Sequence, residues 1–138
     1  MDTHRICAPL DLELIESDRS LTPLDAVLIY DSSDPFVIRL DIDQGECPAT
    51  VWALGRDLLA DGIGSARTAG SGDVKIRRCD SHQIHIRLTA SRGEARLIAS
   101  WDQAYRFVRQ TYGLVPRGCE ADHVDIDAEL RLLLGEAA

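Results

Sequence analysis

Cysteine and histidine recur at a spacing that suggests a transition-metal site: Cys79-x-x-His82-x-x-His85, with Cys119-x-x-x-His123 further along. Thiolate and imidazole suit zinc. The spacing does not, if the stretch from His82 to Leu88 is a strand, because side chains three residues apart then leave opposite faces. Two acid pairs, Asp41/Asp43 and Asp125/Asp127, stand at i, i+2. On a strand the first pair shares one wet face, where a divalent cation fits but plain solvation is the commoner use. No serine sits in a G-x-S-x-G turn, and His4 has no nucleophile beside it in sequence. Gly62, Gly64, Gly70 and Gly72 form neither the P-loop nor the dinucleotide fingerprint. We therefore expect no catalytic residue, no metal and no cofactor.

What remains is a basic constellation. Lys75 and Arg77 alternate with Val74 and Ile76, while His85 and Arg87 alternate with Ile84, Ile86 and Leu88. A turn that pairs these two runs puts all four polar side chains on one face, which Arg39 and Arg96 could extend. That face is either solvated, balanced by Asp41 and Asp43 from a neighbouring strand, or a docking surface for an acidic partner. Single-stranded nucleic acid needs interleaved aromatics to stack on. This face has none, and Trp52, Trp101, Tyr105 and Phe107 read as core.

The elements that must position these residues follow from periodicity. Leu10 to Leu14 alternates apolar with acidic, the pattern of a half-buried strand. Ser17 to Pro23 reads as a turn, and Leu24 to Tyr30 as a central strand covered on both faces. Asp31 to Pro35 is a turn leading into a second alternating strand from Phe36 to Ile42, hence a hairpin. After a turn at Gln44 to Pro48, a short strand holds Trp52. Arg56 to Ala60 reads as a short helix stopped by Asp61-Gly62. A meander of three strands covers Val74 to Ala99. Trp101, Ala104, Tyr105, Val108 and Tyr112 then share one helical face. A last helix, capped by Asp125 or Asp127, carries Ile126, Leu130, Leu133 and Leu134. The apolar excess of the two longer helices marks Tyr112 and Leu132 as candidate contacts with a second subunit. The class is α+β, helices on antiparallel sheet, in a single domain over residues 1–138.

The chain has 138 residues and a formal net charge of -8. The charge is unevenly placed: residues 1–46 carry a net -8, residues 47–118 a net +5 and residues 119–138 a net -5. An acidic whole disfavours non-specific contact with nucleic acid. No apolar run approaches a membrane span, and the first residues lack a basic n-region, so a cytoplasmic protein without membrane insertion is expected. The four cysteines, Cys7, Cys47, Cys79 and Cys119, form no C-x-x-C pair and read as free thiols, packed or partly buried.

Five segments, in order, resemble the SsgA-like proteins of sporulating actinobacteria. They are Tyr30-Asp31-Ser32-Ser33-Asp34-Pro35-Phe36, Trp52-Ala53-Leu54-Gly55-Arg56-Asp57-Leu58-Leu59 with Gly62 following, Gly70-Ser71-Gly72-Asp73-Val74, Gly93-Glu94-Ala95, and Val115-Pro116-Arg117-Gly118 leading to Asp125-Ile126-Asp127-Ala128-Glu129-Leu130. The resemblance implies a whirly-like fold of two packed antiparallel sheets with helices, and a homo-oligomer, a trimer. It implies control of septum placement during sporulation-specific division, through proteins such as the tubulin-like FtsZ or other SsgA-like proteins, or through peptidoglycan remodelling. It carries no catalytic residue. Two positions depart from the family pattern: Arg77-Arg78 stands where an aromatic-proline pair is frequent, and Gly55 where alanine is more frequent.

Overall fold

The protein, seen in a computed structural model, is described over residues 4–44, 47–65, 67–70, 72–91 and 93–123, with the side chains at 44 and 47–49 excepted. The expected C-terminal helix from Asp125 and the candidate Leu132 lie outside the described residues.

Seven strands form the framework: β1 (Arg5–Ile15), β2 (Leu21–Asp31), β3 (Val37–Gln44), β4 (Cys47–Gly55), β5 (Val74–Arg78), β6 (Gln83–Ala90) and β7 (Gly93–Ser100). Helix α1 (Arg56–Ile63) follows β4, helix α2 (Trp101–Leu114) follows β7, and a 3-10 turn spans Glu120–His123. The two packed sheets implied by the family resemblance are one: the strands run in the order β4-β3-β2-β1-β7-β6-β5, every neighbour antiparallel. The two halves of that sheet are nonetheless joined unevenly. β1 pairs with β2 along eleven positions but with β7 at only three, Leu12↔Ala99, Glu13↔Ile98 and Leu14↔Leu97. Beyond that seam α2 begins, and its Gln103 takes over the ladder: Asp11 N donates to Gln103 Oε1 at 2.6 Å, and Gln103 Nε2 donates to Asp11 Oδ2 at 3.1 Å.

The sheet curls about the seam, so that Leu14, Leu24, Ile42 and Trp52 of one half face Leu88, Ala95 and Leu97 of the other across a cavity of about 250 Å³. One continuous core joins both halves and both helices. β2 is central yet has one wet face. Ala26, Leu28 and Tyr30 are buried while Asp25 and Val27 are exposed, so an apolar sequence did not mean burial on both sides. Its strand also starts at Leu21, taking in Pro23, which lies beyond the last β3 pair at Asp25↔Asp43. There the missing N–H breaks no ladder with β3.

Helix α1 runs through the glycine that the sequence suggests as its stop. A Cβ at Gly62 would lie 2.5 Å from Ile76 Cγ2 and 2.9 Å from the Ile76 carbonyl oxygen. The glycine lets helix and strand touch. Helix α2 starts at Ser100, whose Oγ accepts from Gln103 N at 3.3 Å. Its buried face is Ala104, Phe107, Val108 and Thr111, turned from the expected stripe. Trp101 and Tyr105 leave the core for its flank, and Tyr105 is 37% exposed. They stack on each other with ring centroids 4.7 Å apart, Arg78 covers Trp101 and Arg109 covers Tyr105. Trp101 Nε1 also donates to the Ile63 carbonyl at 2.8 Å, which ties α2 to the end of α1.

Candidate functional site

The hairpin of β5 and β6 brings the four basic residues to one outer face, as their alternation requires. Lys75 stands opposite Arg87, and Arg77 opposite His85. Arg96 joins from β7, directly opposite Arg87. Arg39 does not: it lies on β3, across the seam, and binds Asp41 through Nε at 2.8 Å and Nη2 at 3.0 Å. Asp41 and Asp43 therefore do not balance the basic face. That part falls to Glu94, which accepts from Arg87 at 2.6 Å and from Arg96 at 3.0 Å. The two arginines hold the Glu94 carboxyl below its ordinary range through hydrogen bonds. His85 is shifted in the same direction, which for a base favours the neutral form. Burial first, then the Arg77, Arg96 and Arg87 charges, lower its pKa against the opposing pull of Glu94. Thr68, Gly70, Lys75, Ile76, Arg77, His85 and Arg87 line a groove of about 430 Å³.

The outer face of the other half has the opposite sign. Asp11 stands opposite Asp25, and Asp25 opposite Asp43. With Asp41 they line a groove of about 510 Å³ that also exposes Pro9 and Val27. The uneven charge of the sequence is thus sorted by the fold onto the two halves of one outer sheet face.

No group of three metal-binding side chains converges among the described residues. His82 sits in the β5–β6 turn, where its backbone N–H donates to Asp80 Oδ1 at 2.8 Å, while His85 lies on the strand face. Cys7 and Cys79 are exposed rather than packed, and Cys119 is half-buried. Burial raises the Cys79 thiol pKa, so proximity to Arg77 does not activate it.

The residue that sequence reasoning passed over is Arg56. It opens α1 fully buried, at 1% exposure. Its Nη1 donates to the Thr111 carbonyl at 3.1 Å and the Val115 carbonyl at 2.6 Å, and its Nη2 to Glu120 Oε1 at 2.9 Å. Tyr30 and Tyr112 lie under the guanidinium at 5.3 and 4.2 Å. The cation thus caps the last carbonyls of α2, where the helix dipole is negative. Tyr112, a candidate subunit contact, belongs to this cluster. Its hydroxyl donates to Asp57 Oδ1 at 2.6 Å and accepts from Arg117 Nη2 at 3.0 Å. The signal available in sequence was an arginine at the first position of a short apolar helix, where a cation opposes the helix dipole and so needs another reason to be there.

With this geometry established, comparison with known proteins is specific. The family described as "Streptomyces sporulation and cell division protein, SsgA" matches residues 24–120. The chain belongs to the SsgA family. Among curated SsgA-family relatives, "Sporulation-specific cell division protein SsgB" of Thermobifida fusca is 38% identical over 91% of this chain and 91% of its own length. The SsgB of Streptomyces coelicolor is 36% identical over 99% of this chain and all of its own. A solved structure from work on SsgB mutations that correlate with longitudinal cell division during sporulation of S. coelicolor superposes with a TM-score of 0.81, at 33% identity, covering 88% of this chain and 96% of that one. The crystal structure of the SsgA-like protein of T. fusca gives 0.80 at 37% identity, covering 92% and 93%. Over its described residues the chain is thus α+β, one curled antiparallel sheet with two α-helices, and it is a cell-division protein of sporulation.

Proposed function

We propose that the chain regulates sporulation-specific division without catalysis, by binding other proteins at the site where a septum forms. The observation that carries this reading is the end-to-end match to sporulation-specific cell division proteins of the SsgB type. The surface is consistent with it: the two halves of the outer sheet face carry opposite charge. The partners proposed are the division-ring protein FtsZ, other SsgA-like proteins or the peptidoglycan machinery, and a homo-oligomer, a trimer, is the working assembly. No helix among the described residues is long and apolar enough to cross a membrane. Recruitment to the septum from the cytoplasmic side is part of the proposal.

The test is a deletion strain complemented with a fluorescent fusion, joined to co-sedimentation of the purified chain with FtsZ at physiological salt. Expected are loss of sporulation septa, ladder-like localisation, and co-sedimentation. Normal septation in the deletion strain overturns the reading. The whirly-like alternative, nucleic-acid binding through the basic face, is not favoured: the groove lining holds no Phe, Tyr or Trp. A salt-sensitive gel shift with single-stranded RNA or DNA would restore it.

A further inference from the structure

A row of positive charge crosses three strands on the outer face. Lys75 is opposite Arg87 and Arg87 is opposite Arg96, one strand spacing of roughly 4.8 Å per step. Arg77 and His85 form a second opposed pair beside it. Like charges placed directly opposite destabilise a sheet. Glu94 answers Arg87 and Arg96. Lys75 and Arg77 have no ion pair among the described residues. They are also the two cations on the floor of the groove next to its wall, the segment carrying Thr68 and Gly70.

The wall is held in place. Ala69 and Ile76 exchange backbone hydrogen bonds of 2.8 and 3.1 Å, so the segment covers the outer edge of β5. Gly70, at φ +94, approaches so closely that a Cβ would lie 2.4 Å from the Val74 carbonyl oxygen. The groove is therefore built by the fold before any ligand arrives.

We propose that this groove docks an extended acidic segment of a protein partner. The inference rests on the protein-binding reading above and adds the chemistry of the bound segment. Lys75 and Arg77 are two residues apart on one strand face, roughly 6.8 Å, which is the spacing of alternate side chains in any extended peptide. Carboxylates at i and i+2 of a segment lying along β5 then meet both unpaired cations, and a third reaches Arg87. A polynucleotide is disfavoured by the chain's net charge of -8 and by a lining without Phe, Tyr or Trp. A second copy presents its Asp11, Asp25 and Asp43 on a broad sheet face, which a wall beside the row obstructs more than it obstructs a single strand.

The probe is a fluorescein-labelled octapeptide of alternating Glu and Ser, with Gln–Ser as its control, titrated into the full chain by anisotropy. Expected is binding of the Glu peptide over the Gln peptide, weakening between about 50 and about 300 mM salt. The Lys75→Glu/Arg77→Glu variant should lose at least about tenfold in affinity. Should that variant unfold, Lys75→Gln/Arg77→Gln replaces it, with a smaller loss expected. Saturating peptide should also raise the His85 pKa, because carboxylates then offset Arg77, Arg87 and Arg96 while Glu94 stays in place. Equal binding of both peptides overturns the proposal, as does unchanged affinity in a folded double variant. So does tighter binding of a single-stranded oligonucleotide, or charge reversal that abolishes only self-association in sedimentation. Co-sedimentation with FtsZ separates the two readings. Retention by the folded double variant overturns the groove and leaves the division role. Absence of retention by the unmodified chain counts against FtsZ binding while peptide binding still tests the groove.

Discussion

Arg56 and Glu120 meet across 64 residues of sequence, Nη2 to Oε1 at 2.9 Å, and join the start of α1 to the 3-10 turn beyond α2. Two tyrosine faces and two helix-end carbonyls complete the surroundings of the cation. Removing one partner of a buried pair leaves the other uncompensated. Arg56→Ala should therefore cost roughly 3–5 kcal/mol in urea unfolding. Arg56→Lys should recover part of this, since an ammonium cannot reproduce the fork that reaches both carbonyls and the carboxylate. An Arg56→Ala protein with the unmodified unfolding midpoint would remove the pair from any account of stability.

The same pair sets a pH dependence. Hydrogen bonds from its own backbone N–H, Arg56 and Gly118 hold the Glu120 carboxyl below the ordinary carboxylate range, against the opposing effect of burial. A depressed folded pKa gives stability that is present above the unfolded pKa and lost as pH falls through the folded one. The acid limb of stability should flatten in Glu120→Gln, with a lower plateau at neutral pH. Unfolding midpoints measured from pH 7 down to the acid transition check this. A parallel, unshifted acid limb would show that Glu120 does not contribute.

His85 provides a second titration with a different window. Its folded pKa is lowered by burial and by three arginines, so the unfolded chain takes up the proton first as pH falls. The stability tied to His85 is full above the ordinary histidine range and declines as pH drops through it toward the folded pKa. Arg77→Gln should move the His85 imidazole resonance back toward the ordinary range in an NMR pH titration. An unmoved midpoint would show that the Arg77 charge is screened there.

Gly62→Ala sets two effects against each other. Alanine favours the helix by about 1 kcal/mol. The added methyl would meet Ile76 Cγ2 at 2.5 Å, Cβ at 2.6 Å and the carbonyl oxygen at 2.9 Å. A β-branched core residue with its backbone in a ladder has little room to move, and overpacking of this kind costs roughly 1–3 kcal/mol. The net expectation is destabilisation, read as a lower thermal midpoint. A gain in stability would mean that α1 can lift from β5.

Much of this was legible in sequence, and the limits have physical causes. The strands showed clearly because each has one wet face, which writes the alternation of Ile38, Leu40 and Ile42 or of Ile84, Ile86 and Leu88 into the chain. The four-residue basic face followed from the same parity. β2 misled because Val27 and Ile29 are apolar on the outer face, so composition hid the period. Gly62 misled because a glycine kept for helix–strand contact looks the same as one that ends a helix. Phe107 is core as expected, but Tyr105 is not, because neighbouring apolar positions on a helix differ by a rotation that only the tertiary packing fixes. Arg56 was missed because its partners, Tyr30, Thr111, Val115 and Glu120, are far away in sequence. The single sheet was hidden because three residue pairs at a seam leave no trace in periodicity.

That seam has a mechanical consequence. Stiffness between strands comes from the number of rungs in the ladder, and the two halves share three. The join at Leu12 to Leu14 is the shortest ladder in the sheet, so bending between the halves is expected to centre there. The apolar cavity lined by Trp52 and Leu97 lies on the inside of that bend.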